Sequence, residues 1–194
     1  MSVESYQEVT VERIPLHWAV PILVSLVLPL SLYLSEFNFP LWVAFIVWAE
    51  YFALGGKPDT WKLILPSLPW GVFCGVLWIA FGTALSGSIG LLWGLIISCF
   101  IFVTLLVYGL RWFEAWSHGS LAVFNGFTLF LAVYFTGTIP AFGPMENPYW
   151  VISWAGVWCL LHAWFGWFLG WFNIAITFPY KKKVSVEKAQ QTGS

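Results

Sequence analysis

The chain has 194 residues, 60% of them hydrophobic, 21% aromatic and only 9% charged, with a formal net charge of −1 and a mean hydropathy of +0.81. Soluble domains carry about 25% charged residues, so the composition excludes that class and predicts an integral membrane protein. The basic residues are scattered at the ends of apolar blocks and form no stripe, which excludes nucleic acid as a partner and leaves the lipid bilayer.

In chain order, residues 1–13 form a polar N-terminal segment holding Glu4, Glu8 and Glu12. It has neither a basic n-region nor a small-residue cleavage site, so the first apolar segment is expected to stay in the protein. Six apolar spans follow, at about 15–34, 40–56, 64–84, 88–110, 120–139 and 149–176, each long enough to approach a hydrocarbon core of about 30 Å. The breaks "SEFNF", "GGKPDTWK", "SGS", "RWFEAWSHG" and "PAFGPMENP" carry the Gly, Pro, Ser and charged residues expected where backbone returns to water. Residues 14–178 thus make one all-α membrane domain with halves at about 14–86 and 88–178, and 179–194 is read as a basic, disordered tail.

With six spans, all eight basic residues fall on one side: Arg13, Lys57, Lys62, Arg111, Lys181, Lys182, Lys183 and Lys188. The opposite loops carry only Glu36 and Glu146, so the positive-inside rule makes both termini cytoplasmic in a cell (inner) membrane protein. Lys181–Lys183 are expected to favour anionic lipid headgroups by about 1 kcal/mol each. In "RWFEAWSH" (111–118), Arg111 is expected to pair with Glu114 at i,i+3, with His118 four residues beyond Glu114, in an amphipathic helix end or short interfacial turn.

Span 2, bounded by Pro40 and Gly55-Gly56, is only about 25 Å long. Span 5 is similarly punctuated by Gly119, Gly126, Gly137 and Pro140, and the two hold corresponding places in the halves. "AEYFALGG" (49–56) resembles "AVYFTGT" (132–138), and "WGVFCGVLW" (70–78) resembles "WAGVWCLLHAW" (154–164). A duplicated three-span unit must be inverted in its second copy, so a 3+3 inverted repeat is expected, an arrangement that places transporter sites near the bilayer midplane.

The stretch "YFALGGKPDTWKLILPSLPWGV" (51–72) resembles a family of small bacterial inner-membrane proteins known as domain of unknown function 1097. Tyr51, Phe52, Ala53, Gly55, Gly56, Trp61, Lys62, Leu63, Leu65, Pro66, Ser67 and Leu68 carry the match. The resemblance implies a polytopic membrane protein and brings no activity or catalytic residues with it.

Glu50 lies about ten residues into span 2 and His162 about twelve into span 6, which predicts roughly 15 and 18 Å of depth, near the midplane for both. Each gains from a polar partner there, so the two are the candidate centre of a solute- or proton-binding site. Asn125 on span 5 is a candidate hydrogen-bonding side group, because an amide is not satisfied by its own helix as a hydroxyl is. Trp150, Trp154 and Trp158 repeat every four residues toward His162, a spacing that puts them on one slowly drifting face, with Trp154 and Trp158 as candidate passage wall.

Gly71/Gly75, Gly90/Gly94 and Gly166/Gly170 are GxxxG spacings that let helices approach closely, within the chain or between copies in a homo-oligomer. Cys74, Cys99 and Cys159 lie in apolar runs without ligand spacing and read as packing residues. No catalytic, phosphate-loop or metal motif is present, so neither an enzyme nor a cofactor or metal is expected. Two readings lead, a transporter or channel for a small solute and a non-transporting scaffold or partner subunit of a larger complex; a membrane enzyme using Glu50 and His162 for acid–base work ranks third, since nothing supplies a nucleophile or metal set.

Overall fold

The computed structural model describes residues 6–185. The first residues of the N-terminal segment, including Glu4, and the tail from 186 onward, including Lys188, lie outside the described residues. The elements in order are strand β1 (Tyr6–Val11), helices α1 (Leu16–Tyr33), α2 (Leu41–Ala53), α3 (Trp61–Ile89), α4 (Leu91–Gly109), α5 (Glu114–His118), α6 (Ser120–Thr136) and α7 (Pro148–Ile176), and strand β2 (Tyr180–Ser185).

Four helices, α1, α3, α4 and α7, are long and apolar enough to cross a membrane, while α2 and α6 are shorter apolar helices. Of the six expected spans, with span 2 expected to be short, four are thus long enough to cross. α2 has 13 residues, roughly 20 Å, because the backbone unwinds at its C-terminal glycines. Gly55 and Gly56 take φ of 108° and 60°, the left-handed region that glycine enters without steric cost. The N–H groups of Leu54, Gly55 and Gly56 then close back onto Glu50, Phe52 and Tyr51 carbonyls, satisfying the open helix end.

The chain forms two compact units, residues up to Leu26 together with those from Phe172 onward, and Val27–Trp171. In the terminal unit β1 pairs antiparallel with β2, Glu8 opposite Lys183 and Val9 opposite Lys182. The Lys181 ammonium lies 3.6 Å from a Glu8 carboxylate oxygen, and the Arg13 guanidinium lies over the Tyr180 ring. Residues 180–185, read from sequence as the start of a disordered tail, are thus ordered. Val9, Val11 and Tyr180 are strand formers, and a second strand supplies the backbone partners that an isolated tail lacks.

In the larger unit, α3 and α4 are joined by a tight turn at Gly90 (φ 83°) and run antiparallel, Gly82 against Leu95 and Ser98, and Gly109 against Trp70. α3 and α6 run parallel: a methyl on Gly71 would meet the Phe127 amide nitrogen at 2.7 Å, and one on Gly75 the Phe130 ring at 2.5 Å. Gly126 lies equally close to the Leu68 carbonyl. α2 and α7 are also parallel, with Gly166 against the Ala44 backbone and Gly170 against Tyr51. Small residues permit such backbone approach, so five of the six GxxxG glycines, Gly71, Gly75, Gly94, Gly166 and Gly170, face neighbours within the chain.

α5 caps the α3 base: the Ser67 hydroxyl donates to the Ala115 carbonyl at 3.1 Å and the Trp116 indole N–H to the Pro66 carbonyl at 2.9 Å. Arg111 does not pair with Glu114 here; its guanidinium lies over the Tyr108 ring, while Glu114 faces His118 at 4.0 Å. The short helix starts only at Glu114, so Arg111 and Glu114 do not share the helical face that the i,i+3 argument assumes.

Candidate functional site

α2 is one-sided: seven of its 13 residues, among them Trp48, Glu50 and Tyr51, are buried, all on one half of the helix, while Trp42, Ile46, Ala49 and Ala53 form an exposed stripe on the other. Glu50 is 3% exposed, and its Oε2 accepts a hydrogen bond from the Asn125 amide nitrogen at 2.7 Å. Asn125 is positioned by its neighbour: Gly126 holds α6 against the Leu68 carbonyl of α3, and the preceding side chain, about 100° around the helix, reaches α2.

The carboxyl's other oxygen, Oε1, is buried without a partner. Since Oε2 is an acceptor from Asn125, Oε1 has unmet capacity in either protonation state, as an acceptor in the carboxylate and as the O–H donor in the acid.

His162, 2% exposed, sits against Phe39 and Trp158, with ring centroids at 4.3 and 4.5 Å. Its Nδ1 is 2.8 Å from the Trp158 carbonyl. A carbonyl only accepts, so Nδ1 carries the hydrogen and Nε2 presents a lone pair in the neutral ring. That Nε2 is also buried without a partner.

Glu50 and His162, expected to share a depth, do not meet. His162 lies beside Phe39, just before α2 begins, whereas Tyr51, next to Glu50, lies beside Gly170. The eight residues from His162 to Gly170 correspond to roughly 12 Å along α7. Counting from segment ends fails because α7 starts at Pro148 and runs past 13 residues before it reaches His162 at the level of Phe39. Glu50 is three residues from the end of α2 and Asn125 five from the start of α6. Their bond therefore lies one to two turns from helix ends, not at the middle of the helices.

Trp150, Trp154 and Trp158 do share a face, but their indole N–H groups are committed to loop carbonyls. They donate to Phe142 at 2.7 Å, Pro140 at 3.1 Å and Asn38 at 3.4 Å. Asn38 in turn donates through its amide nitrogen to the Ile139 carbonyl at 2.8 Å. The ladder thus fastens the 138–147 loop and the α1–α2 connection over the N-terminal half of α7, which leads to His162 at its centre.

Sequence reasoning passed over three groups. The indole nitrogens of Trp48 and Trp167 and the Tyr51 hydroxyl are buried without hydrogen-bond partners. Hydropathy counts such side chains as apolar and hides their polar atoms; the available signal was that Trp48 and Tyr51 lie within two residues of Glu50 on the same helix. In the terminal unit, Asn173 is buried with both amide atoms unpartnered.

Two surface grooves lie elsewhere. One of about 600 Å³ runs between α3 and α7 past Pro66, Trp70, Phe73 and Val157, and one of about 570 Å³ runs along α4. Cys74 packs with Leu106 and Val123 in the core. Among the described residues no group of three His, Cys, Asp or Glu side chains is placed to hold a metal ion.

A family model for proteins of unknown function, DUF1097, matches residues 19–177. No curated protein and no solved structure matches the chain.

Proposed function

We propose a transport function for this chain, which belongs to the DUF1097 family of proteins of unknown function. In this reading it is a six-span inner-membrane protein with both termini cytoplasmic, and a small solute passes beside α2. The observation that carries it is Glu50: a carboxyl buried in an apolar helix, held by one amide from the other half of the chain, with Oε1 uncommitted. Ionisable groups at membrane depth face bundle interiors or pathways far more often than lipid, because exposure to hydrocarbon is costly.

The short helices fit six spans because a span somewhat shorter than the hydrocarbon core is accommodated by local thinning of the bilayer. An inverted repeat is supported by helix pairing. The third helix of each half packs, in parallel and through small residues, on the second helix of the other half: α3 on α6 and α7 on α2. A two-fold axis in the membrane plane makes those contacts equivalent, and α3 and α7 each have 29 residues. The exposed face of α4, with Leu92, Trp93 and Phe100, then meets lipid.

Flux through purified protein in liposomes tests the reading. The wild type raises the permeability of vesicles to a small polar solute, and Glu50→Leu, which removes the polar centre, abolishes the gain. Equal flux through wild type and variant would sink the assignment of Glu50.

A further inference from the structure

The groove on α4 is built by two rows of side chains. Cys99, Val103 and Val107 form one row four residues apart, and Phe100, Thr104 and Tyr108 form the row beside it; adjacent rows of this spacing leave a channel between them on a helix surface. The channel, about 570 Å³, runs from Cys99 to Arg111. Short side chains line one side, and the exposed rings of Phe100 and Tyr108 stand on the other. At its end the Arg111 guanidinium lies 5.9 Å from the centre of the Tyr108 ring, so the charge is turned onto the groove rather than away from it. The ion pairs among the described residues are Lys62–Asp59, His118–Glu114 and Lys181–Glu8, none of them with Arg111.

Depth in the membrane singles out the occupant. α4 has 19 residues, roughly 28 Å, close to a hydrocarbon core of about 30 Å. Arg111, two residues beyond Gly109, therefore stands at a headgroup boundary, next to the exposed Trp112, a residue type enriched at that level. Arg111 follows Cys99 by 12 residues, about 18 Å, which is close to one leaflet from midplane to headgroups. An apolar channel of that length with a guanidinium at its wet end matches one acyl chain and the phosphate above it, since guanidinium holds phosphate oxygens in bidentate pairs. A second copy of this chain fits less well. Two-fold partners packed through this face would set Arg111 against Arg111, and α4 has no acidic residue to pair with either. We infer that the groove binds an anionic phospholipid of the leaflet on the Arg111 side, one chain along α4 and the phosphate on Arg111. The site stands whether or not a solute passes Glu50.

Full-length protein in phosphatidylcholine nanodiscs tests the site. Trace phosphatidylglycerol or phosphatidylcholine carrying a diazirine at the end of one chain is photolysed, and the adducts are mapped by peptide mass spectrometry. The expected result is adducts concentrated at residues 99–104, about fivefold more of them from phosphatidylglycerol, the factor equivalent to about 1 kcal/mol for one basic residue at an anionic surface. Arg111→Gln equalises the two lipids, Arg111→Lys keeps phosphatidylglycerol ahead, and Val107→Trp, which fills the channel, lowers the adducts from both.

Arg111 and Val107 are exposed, so these variants keep the wild-type unfolding temperature in detergent, and a change in labelling then reports the site rather than the fold. Equal yields from the two lipids on the wild type overturn the inference. So does a preference that survives Arg111→Gln, or adducts spread evenly over the exposed faces of α1 and α4. Disulfide-linked dimers of a Phe100→Cys protein with α4 free of adducts overturn it in favour of a second copy on this face.

Discussion

The Glu50–Asn125 hydrogen bond, at 2.7 Å, joins α2 to α6, and a double-mutant cycle measures it directly. Asn125→Leu keeps the side-chain volume but leaves both Glu50 oxygens without a partner, a loss of about 2 kcal/mol or more for a buried group of this kind. Glu50→Met removes the acceptor and strands the Asn125 amide, at a cost of about 1–3 kcal/mol. The double variant puts two apolar side chains face to face and is less destabilised than the sum. Interhelical hydrogen bonds in membrane proteins average about 0.6 kcal/mol in such cycles and reach about 1.7. The short distance and burial here place the expected coupling in the upper half of that range, at about 1–1.7 kcal/mol. Reversible unfolding in mixed micelles gives the four free energies. Additivity within about 0.3 kcal/mol, as for residues that do not touch, would refute the pairing of these helices.

Packing, tautomer and loop attachment give three further tests. Gly71→Ala places a methyl against the α6 backbone at Val123 and Phe127, so it separates α3 from α6 and destabilises by about 2 kcal/mol or more; Gly87→Ala, in open space on the same helix, stabilises by about 0.5 kcal/mol, and unfolding free energies decide both. In ¹⁵N-histidine spectra of the neutral protein, His162 shows a protonated Nδ1 and a bare Nε2; the opposite pattern contradicts its bond to the Trp158 carbonyl. Trp154→Phe removes the donor to the Pro140 carbonyl, and hydrogen exchange in the 138–147 loop rises about five- to tenfold while α3 is unaffected, the factor expected from one hydrogen bond of about 1 kcal/mol.

Helix positions were legible in the sequence because their punctuation is local. Gly55-Gly56 and Gly90 mark ends that the backbone realises at positive φ, and the helical cores of α1, α3, α4, α6 and α7 fall within a few residues of the apolar blocks. Neighbour relations were not legible. Periodicity says which residues share a face but not which helix lies opposite, so Glu50 was matched to His162 by depth, whereas Asn125, read as a side group, is its partner. Depth counted from segment ends misleads when one helix outlasts its neighbour, as α7 does α2. The tryptophan ladder was visible as spacing, yet its indole N–H groups bind loop carbonyls that no helical pattern reveals. Trp48 and Tyr51 were hidden by being aromatic in an aromatic-rich chain, and the β1–β2 pairing joins residues too distant in sequence for local pattern to connect.

The central claim is that Glu50 lies on a path reached from water. In a background with Cys74, Cys99 and Cys159 replaced by alanine, single cysteines at Glu50 and at Phe100, the latter 77% exposed on α4, are exposed to a small hydrophilic thiol reagent in sealed vesicles. The account predicts that Glu50→Cys reacts, that a permeating solute slows the reaction, and that lipid-facing Phe100→Cys stays inert. A Glu50→Cys protein that folds and is as unreactive as Phe100→Cys would contradict it.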